Sequence, residues 1–113
     1  PYAEEADLLN VALFGFTAKA WREANPELAK KSNVRDYATI NELTVLSNLE
    51  SHNAQMIREG MDKKDRFEAL KEIAEYQLRV LNEAEKISNR IEEQKYSTIL
   101  SALAKWLIYI LEE

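Results

Sequence analysis

Cysteine is absent from this chain, which removes any disulfide framework and every zinc site built on thiolates. That usage suits a reducing, cytoplasmic setting. Glycine and proline occur only twice each in 113 residues, too few breakers for the many turns of an all-β domain. Histidine occurs once, at His52, so no His-x-x-x-His or Glu-x-x-His metal spacing exists. Gly-x-Gly-x-x-Gly, the phosphate-binding P-loop and Gly-x-Ser-x-Gly are all missing. Residues 1–15 lack the basic start of a signal peptide and carry Glu4, Glu5 and Asp7 instead. No catalytic residue, cofactor or metal is therefore assigned, and the expectation is a non-enzymatic protein.

Present in their place are 46% hydrophobic and 31% charged residues, the balance of a folded, soluble domain. The formal net charge of -5 argues against a bulk electrostatic grip on nucleic acid. One stretch runs against this trend: residues 15–35 carry Lys19, Arg22, Lys30, Lys31 and Arg35 against Glu23 and Glu27. These five cations are the candidate contacts if the chain binds nucleic acid, with a solvated loop as the plainer expectation. Phe14, Phe16 and Trp21 lie close by and suit core packing better than a base-stacking platform.

Helical spacing dominates from end to end. Leu8, Leu9, Ala12 and Leu13 share one side of a helix expected over Glu4–Phe14, closed by Gly15. Thr17 caps a second short helix containing Trp21, which stops near Asn25-Pro26. Pro26–Arg35 reads as a polar connection with room for one helical turn at Pro26–Lys30. Thr39 and Glu42 then form a capping box, and Ile40, Leu43, Leu46, Leu49 and Ile57 supply the apolar stripe of a third helix ending at Gly60. Asn48 and Asn53 interrupt that stripe, as solvent-facing residues or as buried register-setting amides.

Asp62 caps the next helix, and no glycine or proline occurs after it. Phe67, Leu70, Ala74, Leu78, Leu81 and Ala84 recur at three- and four-residue steps, predicting one helix of about 45–50 residues or two with a break. Glu68, Glu72 and Glu75 are interleaved with Lys64, Arg66, Lys71 and Arg79, the pattern of a salt-bridged solvent face. The chain is thus expected to be one all-α domain over 1–113. Its parts are short helices and a loop over 1–35, a helix over 36–60, and a long or broken helix over 62–113. The short N-terminal helices would pack on an antiparallel hairpin formed about Gly60.

The last segment differs in kind. Only Ser101 and Lys105 are polar in Ile99–Leu111. Ile99, Leu103, Trp106 and Ile110 share one face, Leu100, Leu107 and Leu111 widen it on one flank, and Ala102 and Tyr109 on the other. The apolar stripe breaks across Ser88–Ser97, where Glu92 and Lys95 fall on the same face. The run is too short for a membrane span, which needs about 20 apolar residues. A protein contact is the expectation, through Ile99, Leu103, Trp106, Leu107 and Ile110, either with further copies of this chain or with a protein partner.

Several words of the sequence, taken in order, are familiar. They are Ala6-Asp7-Leu8-Leu9-Asn10-Val11-Ala12-Leu13-Phe14-Gly15, Thr17-Ala18-Lys19, Trp21-Arg22 and Asn25-Pro26, then Asn33-Val34-Arg35-Asp36-Tyr37-Ala38-Thr39-Ile40 and Leu46-Ser47-Asn48-Leu49-Glu50. Together they resemble the C-terminal region of bacterial and phage proteins carrying a KilA-N DNA-binding domain, over roughly residues 2–81. His52 departs from the apolar residue expected at its place. The resemblance implies an accessory module of a phage-type DNA-associated protein, with the KilA-N domain itself outside this sequence. It assigns no catalytic residues and does not extend to the tail beyond about Leu81.

Overall fold

The computed structural model describes residues 2–112 and is all-helical, with no strand among them. The order is α1 (Tyr2–Phe14), α2 (Ala18–Ala24), α3 (Pro26–Ala29), a 3-10 helix η1 (Val34–Tyr37), α4 (Ile40–Arg58) and α5 (Lys63–Leu111). Contacts divide the chain into two units, Pro1–Val80 and Leu81–Glu113. Helix α5 runs unbroken through 49 residues, including the stretch where the apolar stripe lapses.

Local chemistry sets the helix ends. Thr17 accepts from the Ala20 amide at 3.0 Å to start α2. At α4 the box is complete: Thr39 Oγ1 accepts from the Glu42 amide at 3.0 Å, and the Glu42 carboxylate accepts from the Thr39 amide at 2.9 Å. An Asp62 carboxylate oxygen accepts from the Asp65 amide at 2.8 Å, at the start of α5. Helix α4 closes in a Schellman turn. Gly60 takes φ +78°, its amide donates to the Ile57 carbonyl, and the Met61 amide donates to that of Met56, both at 3.0 Å.

One element departs from expectation. Val34–Tyr37 lies partly in the stretch read as a polar connection, yet it forms a 3-10 turn with its own capping box between Asn33 and Asp36, and Val34 is buried. Aspartate at the fourth position takes the role more usual for glutamate or glutamine.

In the Pro1–Val80 unit, α1 packs on α4 and buries Leu9 and Ala12. Helix α4 contributes Val45, Leu46, Leu49, Asn53 and Met56 to the core, and α5 contributes Arg66, Leu70 and Ala74. This corrects the stripe expected on α4. Ile40 is 81% exposed, and Leu43 and Ile57 are also exposed. The buried face is centred on Leu49, and Ile40, nine residues earlier at about 100° per residue, stands on the opposite side of the helix.

Candidate interaction surfaces

Two buried polar residues lie at the junction of α1, α4 and α5. Asn53, at 4% exposure, is the buried one of the two asparagines; Asn48 stays exposed and donates to Gln77 Oε1 on α5 at 3.0 Å. Arg66, expected on a solvent face, is buried instead. Its Nε donates to Asn53 Oδ1 at 3.0 Å, its Nη1 to the Met61 carbonyl at 2.9 Å, and its Nη2 to both carboxylate oxygens of Glu5. Asn53 Nδ2 also donates to Glu5 Oε2, at 3.0 Å. The guanidinium fork is geometrically suited to such shared recognition. Among the described residues no buried side-chain nitrogen or oxygen lacks a partner. Nothing in the spacing of Glu5, Asn53 and Arg66 announces this cluster, because its members are brought together only by tertiary packing.

Beside it Lys63 bridges to Glu4 at 3.0 Å, both side chains being more than half exposed. The hydrogen bond from Lys63, reinforced by its charge, holds the Glu4 carboxyl below its ordinary pKa. A cleft of about 450 Å³ opens nearby between α1 and α4, over Leu9, Leu46 and Ile57. Its rim charges are already paired, Arg35 with Glu50 and Glu5 within the Arg66 network.

The five cations of the basic stretch do not form one free patch. Lys30 pairs with Glu27 at 3.2 Å and Arg35 with Glu50 at 3.1 Å. Lys19 and Arg22 sit exposed on α2, and Lys31 is exposed after α3; none of these three has an ion pair among the described residues. The aromatics separate into two pairs. Phe14 stacks with Phe16 at 6.1 Å between ring centroids, and Trp21 meets Tyr37 at 5.8 Å. They make no continuous platform.

His52 is exposed on α4, and so are Glu68, Glu72 and Glu75 on α5. No group of acidic or histidine side chains able to hold a metal occurs among the described residues.

The Leu81–Glu113 unit, taken by itself, is one helical segment with its large apolar side chains uncovered. Ile99, Leu103, Trp106, Leu107 and Ile110 are all exposed, Trp106 at 59%, and Leu100, Ile108, Tyr109 and Leu111 are exposed with them. Among the described residues no helix is long and apolar enough to cross a membrane. Compared with protein-family models, with curated proteins and with solved structures, the chain matches none.

Proposed function

We propose that this chain is a non-catalytic interaction and oligomerisation module that assembles through its C-terminal helix. The observation that carries this is the uncovered apolar run Ile99–Leu111, with Ile99, Leu103, Trp106, Leu107 and Ile110 as the contact residues. In this reading α4 and α5 form an antiparallel hairpin about Gly60, and the short N-terminal helices pack upon it. Supporting it, the α4–α5 links Asn53–Arg66 and Asn48–Gln77 run in opposite chain senses. The resemblance over residues 2–81 suggests a role as the accessory C-terminal domain of a phage-type KilA-N protein in the cytoplasm, where self-association would bring DNA-binding domains together. Trp106→Glu is expected to turn an associated chain into a monomer by light scattering at micromolar concentration, with helicity of the Pro1–Val80 unit retained. A wild-type chain that is itself a strict monomer there would sink the proposal.

A second reading, direct nucleic-acid binding, rests on Lys19, Arg22 and Lys31, which have no ion pair among the described residues. Three phosphate contacts give a salt slope of only about -2 to -3 in log-log form. A low-salt gel-shift assay with single- and double-stranded oligonucleotides is therefore expected to show weak binding at most. The absence of any shift would remove this reading.

A further inference from the structure

We infer that the cleft between α1 and α4 is a binding site for a neutral, largely apolar small molecule that carries one amide-like pair of donor and acceptor. At about 450 Å³ the cleft falls within the range of small-molecule sites, about 300–1,000 Å³. Its origin is local. Helix α1 lines it with Ala6 and α4 with Ala54, so neither wall carries a large side chain there to close the gap. The buried Leu9 and Leu46 and the half-exposed Ile57 supply its apolar surface.

The charges around the cleft are spent on one another. Arg35 donates to Glu50 at 3.1 Å, and Glu5 accepts from both Arg66 and Asn53. Asn53 has its own oxygen occupied by Arg66. A charged ligand would leave water and find no free counter-charge, at a desolvation cost that nothing in the cleft offsets. A neutral molecule does not pay that cost.

One polar side chain is left over. Asn10 lines the cleft, is half-buried, and makes no side-chain hydrogen bond among the described residues. A carboxamide holds an N–H donor and a carbonyl acceptor side by side. A second amide, set in the opposite order, satisfies both at once. The rest of such a ligand would lie on Leu9, Leu46 and Ile57. An apolar wall with a few placed polar groups is the usual make-up of a small-molecule site.

NMR titration of the isotope-labelled full chain with four probes of one shape tests this. They are para-butylbenzamide, the anionic para-butylbenzoate, the cationic para-butylbenzylamine, and para-butyltoluene, which has no polar group. The amide probe is expected to bind at about 1 mM and to shift the Asn10 side-chain amide together with the backbone amides of Ala6, Leu46 and Ala54. It should bind at least about tenfold more tightly than either charged probe. Ala54→Leu fills the cleft with another good helix former and is expected to abolish those shifts. Asn10→Leu is expected to remove the preference for the amide over para-butyltoluene while both still bind. A charged probe that binds as well as the amide overturns the neutral class. No shift with any probe, shifts confined to Ile99–Leu111, or shifts that survive Ala54→Leu overturn the cleft as the site. An Asn10→Leu chain that keeps its preference for the amide overturns the role of Asn10. Far-ultraviolet circular dichroism separates lost binding from unfolding in each variant, and the wild-type titration decides the site and the class without them.

Discussion

Replacing Arg66 with methionine is expected to destabilise the Pro1–Val80 unit by about 2–4 kcal/mol. Methionine can fill the space of the arginine stem but donates nothing. The Glu5 carboxylate then loses its cation, and Asn53 Oδ1 and the Met61 carbonyl lose their donor. Removing one partner of a sealed ion pair costs about 3–5 kcal/mol. The figure here is set lower because the Glu5 side chain is 26% exposed, against 10% for Arg66, so water recovers part of the loss. Removing both charges together, as Glu5→Leu, Arg66→Met, should restore much of the stability, since an apolar pair leaves no orphaned charge. Urea denaturation at one fixed protein concentration reads the difference. A single variant within about 0.5 kcal/mol of wild type would mean that the network contributes little beyond its packing.

Leu49→Ala should be comparably severe, at about 3–4 kcal/mol, because Leu49 is fully buried at the centre of the α4 face and its truncation leaves a cavity. Ile40→Ala, on the same helix, should fall within about 0.5 kcal/mol of wild type. Both are leucine-sized positions that the apolar count alone would rank together. The same urea series distinguishes them, and similar losses at the two positions would contradict a buried α4 face centred on Leu49.

That pair also shows where the sequence was informative. The caps at Thr17, Thr39 and Asp62 and the stop at Gly60 were legible because each interaction spans three to five residues. The phase of α4 was obscured by Asn53, a polar residue at a core position, while Ile40 and Ile57 completed a plausible but wrong stripe. The burial of Arg66 is hidden for a related reason. Its partner Glu5 lies 61 residues away, and a charge among charges looks solvated until that partner is brought alongside. The 3-10 turn at Val34–Tyr37 is hard to see in the sequence because a polar stretch that caps itself looks like a loop. The tail is the opposite case: its apolar run is plain in the sequence, with no polar residue on its main face to disguise its phase.

Gly60 carries a consequence for chemical synthesis. At φ +78° there is nothing within 4 Å of where a β-carbon would sit. The turn therefore restricts handedness and not size. An L-alanine there meets backbone strain in open space, whereas its mirror image, D-alanine, finds that same φ in its own preferred region. A semisynthetic chain carrying D-alanine at this one position would hold the turn with fewer unfolded alternatives, so the junction after α4 reads the stereochemistry of a single carbon.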